Sequence, residues 1–238
     1  DSLLDDFAET KTEWVRHDAI NDEALAVFRN VYPKLEVTKE DIFYYIYGVL
    51  HSPEYRNRFG NNLKKELPRI PLARDFHAFM TAGRELAKLH IGYEGLAPWS
   101  SITEEGDAQN PDRTTKMVWG KVRDPETGKK VPDYSTLVVT DNLTLHGIPV
   151  EAQNYVVNGK SALAWLVKQY QVTESAKSGI ANDPNTYSTK GNGRPDKRYI
   201  VDLVKKVTTV SMETLRIVGS LPALDEMPQP DNWPVAWK

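Results

Sequence analysis

The spacing of apolar residues changes twice along this chain, and that change constrains the fold more than any other feature of the sequence. Between residues 38 and 90, apolar and aromatic side chains recur with the period of a helix. Between 117 and 148, short runs rich in β-branched residues alternate with turn sequences such as DPETG at 124–128. From 198 to 218 the helical period returns. The sequence therefore predicts an α+β fold, with helical N-terminal and C-terminal parts around a small antiparallel β region.

Local start and stop signals divide the helical parts further. Thr38 begins a capping box, and Ser52, followed by proline, predicts a second helix start, with that helix reaching about Leu67. A third helix is predicted from about Ala73 to His90. In the last third, either Asn158 or Ser161 caps a helix, and a polar loop at 173–196 separates it from the final helix.

These patterns predict four segments. An N-terminal segment, 1–35, carries one short helix, and a helical lobe follows at 36–95. Residues 92–115 are rich in glycine, proline and short polar side chains, which predicts a loop at the boundary. The β region and the C-terminal helices occupy 96–222, and a proline-rich tail occupies 223–238.

Composition excludes several classes of protein. The chain has no cysteine, which rules out disulfide scaffolds and thiolate metal sites and fits a reducing cytoplasm. No run of about 18 apolar residues is present, so we expect no membrane span and no membrane partner. The net charge of −3 argues against a strongly basic nucleic-acid coat protein.

Motifs for catalysis are missing. The sequence has no phosphate-binding GxxxxGK loop, no GxSxG elbow, and no pair of histidines at metal-binding spacing. The dipeptide Pro132-Asp133 lacks the second acid and lysine that a magnesium-dependent nuclease requires. We therefore predict no catalytic residue, no metal and no cofactor.

Positive charge is concentrated in two places, although the chain as a whole is acidic, and four further cations lie around the predicted hairpin at 124–128. Cations of this kind neutralise phosphates or read guanine, while asparagine reads adenine. On charge alone, solvated helix faces or a protein–protein module explain the pattern equally well. The groups are a first basic cluster (Arg56, Arg58, Lys64, Lys65, Arg69, Arg74), a hairpin cluster (Lys121, Arg123, Lys129, Lys130) and a second basic cluster (Lys190, Arg194, Lys197, Arg198, Lys205, Lys206).

Several long blocks, in order, resemble the C-terminal specificity domain of Type ISP restriction–modification enzymes and related phage-defence helicases. The resemblance covers about 24–222 and is weakest at 92–135. Its blocks are DIFYYIYGVLHSPEYR (41–56), LKKELPRIPL (63–72), AGRELAKLH (82–90), LHGIP (145–149), YVVNGKSAL (155–163), SGIANDP (178–184) and YIVDL (199–203).

The resemblance implies a part excised from a large polypeptide that joins a nuclease, an ATP-driven motor, an adenine methyltransferase and this domain. The domain would recognise a target sequence in double-stranded DNA and present it to the methyltransferase domain. It would have no enzymatic activity by itself. Its expected partners are double-stranded DNA and the methyltransferase domain of the same polypeptide.

The resemblance supplies no code of base contacts, so the candidate DNA-binding residues come from charge and loop position. Phosphate contacts are expected from Arg56, Arg58, Lys64, Lys65 and Arg69. Base contacts are expected from Lys121, Arg123, Lys129, Lys130, Asn182, Asn185, Lys190, Arg194, Lys197 and Arg198.

Three alternatives remain open. The first basic cluster serves equally well to dock the domain on the methyltransferase. The whole chain also fits a structural module that couples the methyltransferase and motor domains without reading sequence. A hydrolase or transferase with an unrecognised site is the third alternative.

Overall fold

The structure, a computed structural model, describes residues 18–189 and 193–228. Helices lie at both ends of the described chain and a small antiparallel sheet lies between them, which confirms the predicted α+β class. The helices are α1 (Asp22–Val31), α2 (Lys39–His51), α3 (Pro53–Phe59), α4 (Phe76–Ile91), α5 (Ala162–Gln169) and α6 (Tyr199–Gly219). The strands are β1 (Thr103–Gly106), β2 (Val118–Arg123), β3 (Lys130–Thr140), β4 (Leu143–His146), β5 (Val156–Val157), β6 (Lys160–Ser161), β7 (Thr173–Glu174) and β8 (Ala181–Asn182).

Side-chain caps set the helix starts. The Thr38 hydroxyl accepts a hydrogen bond from the backbone N–H of Asp41, and the Asp41 carboxylate accepts one from the N–H of Thr38, which confirms the capping box of α2. Ser52 caps α3 as predicted. At α5 the cap is Ser161, whereas Asn158 lies in the turn between β5 and β6 with a φ of +48°.

Two predicted helix bounds are wrong. α3 ends at Phe59 instead of near Leu67, because Gly60 and the two asparagines after it are poor helix formers. α4 begins at Phe76 instead of about Ala73, because the Asp75 side chain accepts a hydrogen bond from a backbone N–H of the first turn and fixes the start there.

The helical lobe is built around a close crossing of α2 and α4. A Cβ atom on Gly83 would lie 1.8 Å from the carbonyl oxygen of Tyr44, and one on Gly48 would lie 2.1 Å from that of Phe79. Only glycine therefore permits this approach of the two backbones. Beside the crossing lies an aromatic core of Phe28, Tyr32, Tyr45, Tyr55, Phe76 and Phe79.

The sheet has four strands in the order β1-β4-β3-β2, all antiparallel. The hairpins predicted around 124–128 and 141–142 are both confirmed, and they share the continuous strand β3. The prediction of a loop throughout 92–115 is wrong, because β1 lies inside it and pairs with β4. The predicted loop at 173–196 also contains the short β7–β8 hairpin.

α6 contacts both halves of the molecule. Its N-terminal half buries Ile200 and Val204 against the sheet, in one core with Leu137 and Leu145. Near its C-terminal end, Ile217 packs in a separate cluster with Ala82 and Leu86 of α4. Among the described residues, no helix is both long enough and apolar enough to cross a membrane.

Candidate nucleic-acid interface

Arg198 immediately precedes α6, and its guanidinium lies between two carboxylates of the protein itself. Its terminal nitrogens lie 2.7 and 2.8 Å from the two carboxylate oxygens of Glu104 on β1, which is a bidentate ion pair. One of these nitrogens also lies 2.7 Å from the carboxylate of Asp202 in α6. The side chains of Arg198 and Glu104 are only 23% and 15% exposed.

Lys205 completes this group, with its Nζ 2.9 Å from Oε1 of Glu104. Hydrogen bonds from Arg198, and to a lesser degree from Lys205, lower the pKa of Glu104 to about 2 although burial opposes the shift. The hydrogen bond to Glu104 likewise raises the pKa of Arg198. Glu104 and Arg198 are therefore charged at neutral pH, and both Arg198 and Lys205 are engaged inside the fold.

The other residues of the second basic cluster differ in their hydrogen-bond partners and in their exposure. The Nζ of Lys197 donates to the side-chain oxygen of Asn110 at 2.8 Å and remains exposed. The Nζ of Lys206 donates to the carbonyl oxygen of Glu94. Arg194 is exposed, and Lys190 lies outside the described residues.

Of the two candidate asparagines, Asn185 is hydrogen-bonded to another loop and Asn182 is exposed. The Asn185 side chain accepts a hydrogen bond from the backbone N–H of Thr114 and donates one to the carbonyl oxygen of Thr114, both at 2.9 Å. Its amide nitrogen also donates to Asp183 at 2.7 Å. Asn182 on β8 is exposed, and its side-chain oxygen accepts one hydrogen bond from Tyr187. Asn185 therefore joins two loops of the protein.

In the first basic cluster, three arginines have internal partners. Arg58 pairs with Glu226 and Arg74 pairs with Asp225, at 2.5 and 2.7 Å, while Arg56 donates to the carbonyl oxygen of Leu50. The remaining cations are exposed and have no ion pair with any described residue. They are Lys64, Lys65 and Arg69.

All four residues of the hairpin cluster are exposed. Residues 130–133 of β3 pair with β2, while β4 pairs only with the later part of β3, from Thr136 onward. The end of the β2–β3 hairpin is therefore a two-stranded ribbon that projects from the sheet. Within the described chain, no carboxylate lies in ion-pair distance of Lys121, Arg123, Lys129 or Lys130.

A polar network lies where the helical lobe, α6 and the β5 segment meet. His90 on α4 contacts the Tyr47 hydroxyl through Nδ1 at 2.8 Å and the Thr214 hydroxyl through Nε2 at 2.9 Å. The ring of Tyr155 stacks against it, with centroids 5.8 Å apart. Burial, with a smaller contribution from His51, lowers the pKa of His90 to about 4, so the imidazole is neutral. The described residues hold no group of three histidines or carboxylates fit for a metal ion.

Glu104 is the residue of this region that sequence reasoning missed. One signal was available. Arg198 and Lys205 are seven residues apart, so they share a face of α6, and buried Val201 lies near that face. Cations on the packed side of a helix require a carboxylate partner from elsewhere in the chain.

A small α+β fold with exposed cations that have no ion pair among the described residues is typical of a domain that binds nucleic acid. The chain matches the Type ISP C-terminal specificity domain over residues 3–203, and it belongs to that family. This confirms the resemblance found in the sequence.

Solved structures show the same similarity. The chain is 39% identical to a nuclease-deletion mutant of the Type ISP restriction–modification enzyme LlaGI in complex with a DNA substrate mimic, with a TM-score of 0.69 over 81% of this chain. It is 34% identical to the ATP-dependent Type ISP enzyme LlaBIII bound to DNA, with a TM-score of 0.70 over 84% of this chain. It is 35% identical to DrdV in a DNA complex, with a TM-score of 0.69 over 87%.

The relatives are much longer than this chain. The aligned region spans 17%, 12% and 20% of the LlaGI, LlaBIII and DrdV chains. No protein with a curated function matches this chain.

Proposed function

We propose that this chain recognises a specific sequence in double-stranded DNA on behalf of a Type ISP restriction–modification enzyme. Membership of the specificity-domain family supports the proposal, and so do three similar proteins solved with DNA or a DNA mimic. The observation that carries it is the hairpin cluster, because four exposed cations on a projecting ribbon have no ion pair among the described residues. Such cations neutralise the phosphates of a duplex.

The internal contacts narrow the set of candidate DNA-binding residues. Arg198 and Asn185 are engaged inside the fold, so we assign them to positioning the loops around the interface. Arg194, Lys197 and Asn182 stay on the candidate surface together with the hairpin cluster. Phosphate contacts from these groups would set the register, and contacts to base edges would give the specificity.

We assign the exposed cations of the first basic cluster, Lys64, Lys65 and Arg69, to a protein neighbour, namely the methyltransferase domain of the same polypeptide. Leu67 is 89% exposed and lies between Lys65 and Arg69. An apolar side chain among cations suits a protein surface better than a row of phosphates. In this arrangement the chain binds and presents the target, and the chemistry belongs to other parts of the enzyme.

Selection of bound duplexes from a random DNA library, at about 100 mM salt, tests the proposal, because non-specific binding is already weakened there. We expect a short enriched motif. Salt-sensitive binding without a motif would reduce the chain to a phosphate-binding module. No binding would favour the alternative of a module that couples the methyltransferase and motor domains.

A further inference from the structure

The register of the ribbon assigns its side chains to two faces. Arg123 pairs with Lys130, Val122 with Val131, and Lys121 with Pro132. Directly paired residues of an antiparallel ladder share a face, and neighbours along a strand point to opposite faces. One face therefore carries Lys121, Arg123 and Lys130, while the other carries the two valines.

The cationic face is unfavourable for the free protein. Arg123 and Lys130 are directly opposite, and like charges in that position destabilise a sheet because their Cβ atoms are about 5 Å apart. Asp124, the next residue after Arg123, forms no ion pair with either cation. The Asp124 side chain instead accepts hydrogen bonds from the backbone N–H and hydroxyl of Thr127, at 2.6 and 2.8 Å.

The dimensions of the ribbon define what it can enter. Four residue pairs, from Gly120–Asp133 to Arg123–Lys130, extend beyond the part of β3 that β4 covers. At about 3.3 Å per residue, this is a projection of about 10 Å before the turn. The major groove of B-DNA is about 12 Å wide and 8.5 Å deep, and it admits a two-stranded ribbon.

We propose that the ribbon enters the major groove of the target duplex with its cationic face toward the DNA. This inference rests on the proposed function and names the part that reads sequence. Lys121 and Lys130 neutralise phosphates at the groove edges. Arg123 donates to a guanine edge, since among the described residues its guanidinium makes only one hydrogen bond, to the carbonyl oxygen of Gly128 at 3.2 Å. Bound DNA also removes the repulsion between Arg123 and Lys130.

The decisive variant is Lys130→Glu, measured on the whole chain for both stability and binding to the selected duplex. It replaces a like-charge pair with an Arg123–Glu pair, so we expect the urea midpoint to rise. Affinity at 100 mM salt should nevertheless fall about 10-fold or more, and the slope of log Kd against log salt should decrease by about one to two. A merely structural role for Lys130 would not move stability and affinity in opposite directions.

Arg123→Lys tests base reading separately, because lysine keeps the charge and loses the bidentate fork. We expect an unchanged salt slope and a loss of about 5- to 150-fold in preference for guanine at one position of the motif. An unchanged preference at every position would remove Arg123 from base reading.

Two variants serve as matched controls. Val122→Thr changes the opposite face of the same ribbon, and Lys34→Glu makes the same charge change at an exposed position between α1 and α2. Both should leave affinity within about twofold. If Lys130→Glu binds as wild type does, or if Lys34→Glu loses as much, the ribbon is not the reading element, although the proposed function stands. If the wild-type chain selects no motif, the proposed function fails and this inference fails with it.

Discussion

Arg198 and Arg123 carry the same charge, and the fold uses them in opposite ways. Arg198 of the second basic cluster is paired with both oxygens of Glu104 and is mostly buried. Arg123 of the hairpin cluster is exposed on the ribbon, opposite another cation. The difference shows that charge density along a sequence does not reveal which cations are available to a polyanion. Whether a cation is available depends on where the carboxylates of the protein lie, and those positions depend on contacts between residues distant in sequence.

The largest expected effect comes from removing the shared carboxylate of the second basic cluster. Glu104→Ala leaves Arg198 and Lys205 without their common partner, and breaking a mostly buried ion pair costs about 3 kcal/mol of unfolding free energy. Urea denaturation measures this loss. Glu105→Ala is the matched control, since that neighbouring side chain is 77% exposed and, within the described part of the chain, contacts only His146, so its loss should be below about 0.5 kcal/mol. Equal losses would contradict the distinction between the two arginines.

Asn185 and Asn182 allow the same comparison between an internally bonded side chain and an exposed one, here for neutral residues. Asn185→Ala leaves the backbone N–H and carbonyl of the buried Thr114 without their partner, so we expect about 2 kcal/mol of lost stability. Asn182→Ala removes one exposed hydrogen bond and should cost no more than about 0.5 kcal/mol. Thermal unfolding of the two variants measures both losses of stability. A larger effect at Asn182 would reverse the assignment of roles.

The Glu104 carboxylate also predicts a dependence of stability on pH. Because the pKa of Glu104 lies at about 2 in the fold against a reference value of 4.5, its ion pairs stabilise the protein fully above pH 4.5 and cease to do so as the pH falls through 2. The difference in urea midpoint between wild type and Glu104→Gln should therefore shrink as the pH falls from 4.5 toward 2. A constant difference across that range would exclude the carboxylate as the source.

Local rules predicted most of the architecture. The capping box at Thr38, the serine cap of α3, both hairpins and α6 depend on residues close together in sequence, and each is present. Where a helix bound was wrong, the reason was also local, as with Gly60 after α3. The family resemblance was likewise visible in contiguous blocks.

Long-range pairing explains the rest. β1 has four residues, two of them glutamates and the last a glycine, so it has no strand-forming pattern of its own and exists because β4 pairs with it. Without β1, the partner of Arg198 could not be predicted. His90 is similar, because its network draws on Tyr47 of α2 and Thr214 of α6, 43 and 124 residues away.

The projecting ribbon also has a consequence for how such domains diverge. From Gly120 to Asp133 no residue is buried, so substitutions there remove no side chain from either hydrophobic core. Exchanges at surface positions of this kind usually change folding free energy by less than about 0.5 kcal/mol. If the ribbon reads the target as proposed, a lineage can alter the ribbon, and with it the recognised sequence, while the rest of the domain keeps its sequence. New specificities then arise within one inherited scaffold.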